Sequence, residues 1–120
     1  MITAVIPCRA SQRNLRPLRW LDGVLRQLPP EITPLVVDDT ADVALRSRVR
    51  AIVSRFQNAR HLQVEQGSDT TFSIGHLRDV GTHAATDPLI LFHDVDFTAP
   101  AEMYRRLVAF VRQPDVGQDP

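Results

Sequence analysis

Short apolar segments alternate with longer amphipathic ones along this chain. The short segments suit buried strands, and the longer ones have the apolar spacing of helices. Such alternation is typical of an α/β fold, with a parallel sheet covered by helices. Four strands are predicted at residues 2–6, 34–37, 61–64 and 89–92, and four helices at 13–28, 42–56, 74–85 and from Thr98 to about 111.

Local signals predict where several of these elements begin and end. Pro7 is expected to end the first strand, and Pro17 is tolerable only in the first turn of the first helix. Thr98 is expected to cap the last helix, with Pro100 in its first turn. Residues 66–71 are predicted to form a polar loop.

The predicted strands fit few topologies, because crossovers between parallel strands are right-handed. The simplest doubly wound arrangement orders them third, second, first, fourth, and ligands bind beyond the carboxyl ends of such strands. Three polar segments should meet there: Pro7-Cys8-Arg9, Asp38-Asp39-Thr40 and His93-Asp94-Val95-Asp96.

The last of these segments gives the most specific indication of chemistry, a site for a divalent cation. Asp94 and Asp96 follow Leu89–Phe92, which is expected to be a buried strand. Two acids one residue apart at a strand end can share a hard divalent cation, which can hold a diphosphate. An Asp-x-Asp sequence alone is common by chance, so its place beside the other polar strand ends carries the argument.

Composition narrows the class of protein and of partner. The 120 residues suit one domain, predicted over 1–112 with a flexible tail at 113–120. Fourteen basic and fourteen acidic residues cancel, which gives no reason to expect nucleic acid as a partner. Neither a membrane span nor a signal peptide is recognisable, so a cytoplasmic protein is expected. Cys8 is the only cysteine, which excludes an internal disulfide.

At four segments the chain resembles the family 2 glycosyltransferases with the GT-A fold. These inverting enzymes use nucleotide-diphosphate sugars, and many build bacterial polysaccharides. The order and spacing of the segments fit, and the likeness covers roughly residues 2–110. The segments are Thr3–Arg9, Pro34–Thr40, Gly75–Ala85 and Leu89–Asp96.

The resemblance implies a Rossmann-like GT-A half-domain and a role for each site residue. Pro7, Cys8 and Arg9 would cradle the nucleotide, Asp39 would contact the base, and Arg78 would lie close by. Asp94 would sit near the ribose and help to hold the metal, of which Asp96 would be the principal ligand. The cation would be Mg²⁺ or Mn²⁺, because the ligands are carboxylate and phosphate oxygens.

The chain departs from the family in ways that leave its function open. Thr40 replaces a common Gly-Ser, and Asp79 stands where Asn is usual. Family members continue further, with the acceptor-binding part and the catalytic base downstream. The chain is therefore expected to be a truncated donor-binding half, or to act with a partner chain. A homodimer is also compatible with the sequence, and the acceptor, a glycan or another molecule, is unknown. The alternative is a non-catalytic nucleotide-sugar-binding module; a nucleotidyltransferase ranks lower because residues 7–14 lack glycine.

Several of these residues also have plainer interpretations. Asp38 and Asp42 are expected to make capping or structural hydrogen bonds. Arg78 is as well explained by an ion pair with Asp79 or Glu65 as by a ligand contact. Packing roles are expected for Cys8, Trp20, His93 and Tyr104.

Overall fold

The structure, a computed structural model, describes residues 1–66 and 72–114. The predicted loop at 66–71, apart from Gln66, and residues 115–120 of the predicted tail lie outside this range. Strands and helices alternate as predicted. They are β1 Ile2–Cys8, α1 Arg16–Gln27, β2 Ile32–Asp38, α2 Val43–Val53, β3 Arg60–Gln63, α3 Ile74–Ala84, β4 Leu89–Phe92 and α4 Ala101–Val111.

The strands form one parallel sheet in the order β3-β2-β1-β4, which confirms the predicted topology. Ile2 of β1 pairs with Ile32 on one side and Leu89 on the other. β4 ends opposite Val5, and the next amide, that of His93, still donates to the Val5 carbonyl at 3.0 Å. The segment after β4 therefore runs beside the last residues of β1.

β1 is the centre of the core, and all seven of its residues are buried. Because side chains alternate along a strand, Ile2, Ala4, Ile6 and Cys8 pack with α1, α2 and α4. Val5 faces the other side, where it packs with β2 residues and with Leu77 of α3. Helices thus cover both faces of the sheet, as the sequence predicts.

Two predicted boundaries near the start of the chain are wrong. β1 continues through Pro7 to Cys8, because a proline lacks only the amide hydrogen and its fixed φ is compatible with an extended chain. α1 begins at Arg16 and not at residue 13. Ser11 and Asn14 exchange backbone hydrogen bonds of 3.1 and 3.0 Å, and this turn occupies the residues before the helix.

Two predictions near the end of the chain also need correction. β4 is an edge strand and only half buried, with Phe92 50% exposed, because the described residues place no strand beyond it. Thr98 does not cap α4; Pro100 is the N-cap residue and makes no side-chain cap bond.

The predicted cap of α2 is confirmed, since the carboxylate of Asp42 accepts from the Leu45 amide at 3.0 Å. Within residues 1–66 and 72–114, no helix has the length and apolarity to cross a membrane.

Gly81 lets α3 lie unusually close to the sheet. A Cβ at this position would overlap a methyl group of Val5 and lie 3.0 Å from Cγ2 of Val37. Both neighbours are buried, β-branched side chains in the sheet, which have little freedom to move aside. The small residue is therefore a packing requirement and not a source of flexibility.

We expect Gly81→Ala to lower the free energy of unfolding by roughly 1–3 kcal/mol through overpacking. Gly23→Ala is the matched control, because Gly23 is also inside a helix but has nothing within 4 Å of an added Cβ. That change should raise stability by about 0.5–1 kcal/mol through helix propensity. Urea unfolding of both variants measures the contrast, and equal shifts of the two midpoints would contradict this account of Gly81.

Candidate functional site

A cleft of ≈ 430 Å³ opens where the carboxyl ends of β1 and β4 meet the start of α1. Four of the predicted site residues meet in it. The other three, Cys8, Asp39 and Arg78, do not contribute to its lining. The residues lining the cleft are Pro7, Arg9, Ser11, Asn14, Arg16, Pro17, Trp20, Phe72, Ile74, Asp94, Val95 and Asp96.

Arg9 links Asp39 to the cleft. Its Nε donates to Oδ1 of Asp39 at 2.9 Å and its Nη2 donates to Oδ2, which is a bidentate ion pair. The Asp39 side chain is only 6% exposed, so Arg9 stands between this carboxylate and the open space. The Arg9 guanidinium also lies 5.2 Å from the ring centre of Phe72. Because bidentate pairs fix both partners, Arg9 presents a well-oriented positive charge at the cleft wall.

Asp38 has the structural role that the sequence predicts for it. Its carboxylate is wholly buried, where it lies 2.8 Å from Nε2 of His61 and accepts from the Thr40 amide at 2.9 Å. The Thr40 hydroxyl in turn accepts from the Ala10 amide at 2.9 Å. These bonds fasten the segment after β1 to the end of β2. The sequence predicts only a strand that begins at His61, and the bond of His61 to Asp38 adds a role that the strand pattern does not indicate.

Asp94 and Asp96 stand at the cleft with their carboxylates exposed. Asp94 accepts from Nη2 of Arg78 at 3.4 Å, so the partner of Arg78 is Asp94 and not Asp79 or Glu65. Within the described parts of the chain, Asp96 makes no hydrogen bond or ion pair. No cluster of three His, Cys, Asp or Glu side chains able to hold a metal occurs among the residues that the structure describes. Among the described residues, the rim therefore offers two carboxylates to a cation.

The side chain beside these acids is buried and polar. His93 is 4% exposed; its Nδ1 lies 2.7 Å from the Asp94 carbonyl oxygen and its Nε2 lies 2.6 Å from the Tyr104 hydroxyl. Burial lowers the pKa of His93, so its imidazole is neutral at pH 7. Burial also raises the pKa of Tyr104, whose hydroxyl keeps its proton. His93 and Tyr104 pack as predicted, and their hydrogen bond joins residues 11 positions apart, which no local sequence pattern indicates.

Trp20 differs from its predicted packing role, because it lines the cleft and is 38% exposed. A positional signal for this was present in the sequence. α1 follows β1 after a short turn, so its first turns lie at the carboxyl edge of the sheet. Two exposed residues of those turns, Arg16 and Trp20, are thereby placed against the cleft.

Cys8 faces the core and not the cleft. Its side chain is fully buried beside Ile6 and Ala4, and burial raises the pKa of the thiol, with the charges of Asp38 and Asp39 adding to the effect. The backbone of Cys8 faces the neighbouring strand end, where its carbonyl accepts from the Asp39 amide at 3.2 Å. Its side chain thus has the packing role that the sequence suggested.

Solved structures show which known proteins share this architecture. No protein-family model matches the sequence, and no curated protein matches it. The 1–349 region of S. aureus TarS matches with a TM-score of 0.69 and 24% identity over 92% of this chain. The mannosyltransferase PcManGT from Pyrobaculum calidifontis matches with a TM-score of 0.68 and 15% identity over 94% of this chain. The fold is that of the GT-A glycosyltransferases.

The GT-A neighbours are much longer than this chain. It spans 32% of the TarS 1–349 structure, 32% of PcManGT and 19% of a longer TarS structure. The TarS 1–349 region has been solved in complex with UDP and with UDP-GlcNAc, and PcManGT in complex with GDP-Man and Mn²⁺. At these identities the likeness establishes the fold, and the GT-A prediction from the sequence is confirmed.

The burial of Cys8 predicts a thiol that reacts only when the protein opens. We expect a disulfide reagent at pH 8 to label the native protein at least about a hundredfold more slowly than the urea-unfolded chain. Because Cys8 is the only cysteine, the absorbance change reports on this residue alone. Similar rates for the native and unfolded protein would contradict the placement of the thiol in the core.

Proposed function

We propose that this chain binds a nucleotide-diphosphate sugar in the cleft and is the donor-binding part of a glycosyltransferase. The observation that carries the proposal is the convergence of Arg9, Asp94 and Asp96 on one cleft at the carboxyl edge of a GT-A sheet. The nucleotide and nucleotide-sugar complexes of the TarS 1–349 region and PcManGT support it, because both proteins share this fold.

The charges of the cleft favour a divalent cation as part of the ligand. A diphosphate is negative, and the carboxylates of Asp94 and Asp96 would repel it unless a cation stood between them. These carboxylates fit that need: Asp96 makes no competing bond within the described residues, and the contact of Asp94 with Arg78 is long and exposed. Mg²⁺ or Mn²⁺ suits two carboxylate oxygens, with phosphate and water supplying the remaining ligands.

The other predicted site residues have separate roles in the proposal. Arg9 faces the phosphates or the nucleoside as a fixed cation, and Asp39 holds Arg9 in place. Pro7 shapes the cleft wall. Arg78 does not line the cleft, and we assign it a role only through Asp94, to which its Nη2 donates at 3.4 Å.

The proposed chemistry is the departure of a nucleoside diphosphate from a sugar. A bound cation would stabilise the charge that develops on the leaving group. The acceptor hydroxyl also needs a general base, and we assign none among the described residues. We propose that acceptor recognition and the base come from polypeptide outside residues 1–112.

A second candidate is a nucleotide-sugar-binding module without catalytic activity. It is favoured because we assign no base within residues 1–66 and 72–114, and because the chain spans only 32% of the TarS 1–349 structure. Release of UDP from UDP-GlcNAc, or of GDP from GDP-mannose, separates the two. Release that requires both the metal and Asp96 supports the transferase, whereas binding without any release supports the module.

Calorimetric titration with UDP and with GDP tests the binding proposal. We expect at least one of the two to bind more tightly with Mn²⁺ present than with EDTA. Asp96→Asn should weaken the Mn²⁺-dependent affinity by about tenfold or more, or about 1.4 kcal/mol, because it removes the principal charged ligand. Affinity measured in EDTA should not fall, since the variant lowers the repulsion of the diphosphate.

Asp79→Asn is the matched control for this titration. It removes the same charge from a carboxylate that is 72% exposed and does not line the cleft. We expect it to bind as the wild type does. The proposal is wrong if neither nucleotide binds, or if the two variants lose the same Mn²⁺-dependent affinity.

A further inference from the structure

A series of hydrogen bonds, which runs through half-buried Gln27 and through buried Tyr104 and His93, fastens the segment that carries Asp94 and Asp96. Its anchor is Gln27, at the last turn of α1. The Gln27 Nε2 donates to the Phe97 carbonyl and to the Tyr104 hydroxyl, each at 3.0 Å. Its Oε1 accepts from the Ala99 amide, also at 3.0 Å. One side chain of α1 thus makes three hydrogen bonds, two of them to the backbone after Asp96.

The protons in this series of hydrogen bonds can be assigned, because each group is able to donate, to accept, or to do both. A carbonyl only accepts, so the contact between His93 and the Asp94 carbonyl places the imidazole proton on Nδ1. Nε2 then accepts, and the Tyr104 hydroxyl donates to it at 2.6 Å. Tyr104 in turn accepts from Gln27. Every bond runs in one direction from Gln27 to the Asp94 carbonyl, and such chains strengthen their members.

We call Gln27, Tyr104 and His93 the loop clamp, because their contacts bracket the two acids. The clamp binds the backbone at Asp94 on one side, and at Phe97 and Ala99 on the other. The two carboxylates are exposed, and their one side-chain contact is the long one of Asp94 with Arg78. Their positions in the ligand-free protein are therefore set by the backbone that the clamp holds.

We propose that the loop clamp positions Asp94 and Asp96 for the divalent cation, an inference that rests on the proposed function. A cation site needs its ligands held in place before binding, and groups behind the ligands commonly provide this. None of the three clamp residues lines the cleft, so all three act through the backbone as positioning residues. A clamp with a purely structural role would affect stability and leave the cation-dependent affinity unchanged.

Amide hydrogen exchange of the ligand-free protein tests whether the clamp acts as a unit. Tyr104→Phe removes one hydroxyl and keeps the ring, and it leaves the bond between Ala99 and Gln27 available. The Ala99 amide donates to Gln27, and the Phe97 amide donates at 3.3 Å to the Asp94 carbonyl that His93 also contacts. We expect exchange at both amides to accelerate by about tenfold or more, relative to amides of β1. Gln27→Met should accelerate Phe97 similarly. If Tyr104→Phe leaves both amides unchanged relative to β1, the clamp is not a unit and the proposal fails.

Val108→Ala controls for a general loss of stability. Val108 is buried in α4, the helix that carries Tyr104, and takes no part in the clamp. Its truncation should destabilise the core without selectively accelerating Ala99 and Phe97. Selective acceleration of these two amides in Val108→Ala would show that any damage to α4 releases the loop, which would overturn the assignment.

Nucleotide titration then tests whether the loop clamp supports binding of the cation. For each variant, the ratio of UDP or GDP affinity with Mn²⁺ to that with EDTA is compared with the wild type. We expect Tyr104→Phe and Gln27→Met to lower this ratio by about tenfold, the size seen when groups behind metal ligands are removed. Val108→Ala should keep the wild-type ratio.

The two proposals fail in different ways in this titration. A wild-type protein without Mn²⁺-dependent nucleotide binding overturns the proposed function, and the cation role of the clamp with it. Wild-type Mn²⁺ dependence that survives unchanged in both clamp variants overturns the clamp alone. Because exchange is measured without ligand, it decides independently whether the clamp holds the loop.

Discussion

Parallel pairing of β1 with a strand on each side is the constraint on which the rest of the structure depends. β1 is buried on both faces, so a one-residue slip by either neighbour would exchange the side chains that pack under the helices of the two faces. The close fit of Gly81 against Val5 and Val37 would not survive such an exchange. With the register fixed, β1, β2 and β4 all point toward the same edge of the sheet. Their following segments are polar, and the cleft forms where the segments after β1 and β4 meet α1.

Burial divides the acids at this edge into two kinds. Asp38 and Asp39 are nearly inaccessible, and each has partners that offset the loss of water around its carboxylate. Asp94 and Asp96 keep their contact with water and have few partners. The first pair shapes the site, and the second pair remains available to it. Similar residue types at adjacent strand ends therefore do different work, and solvent exposure is what separates them.

The sequence predicts what depends on periodicity and fails where a distant partner decides. Local patterns predict the strand order, the helices on both faces of the sheet and the cap at Asp42, and all three agree with the structure. The contact of Arg78 with Asp94, 16 positions away, could not be foreseen, since closer acids were equally plausible. The same holds for Gln27, whose partners lie 70 or more positions further along the chain. Pro7 shows the opposite failure. The local rule that a proline ends a strand is wrong here, because β1 stays paired with β2 through Pro7.

Among the residues that the structure describes, no strand pairs with the outer side of β4, and this has a consequence for how these molecules meet one another. An apolar edge strand with free amides and carbonyls is a template on which another chain can add a strand, and many proteins protect such edges with charge. Here Asp87 precedes the strand and Asp94 follows it. The carboxylate of Asp87 is already paired with the terminal ammonium of Met1 at 2.8 Å, so the exposed carboxylate of Asp94 is the charge that a second copy would meet at this edge. Asp94, to which the proposed function assigns the cation, would therefore also oppose the addition of a strand at this edge.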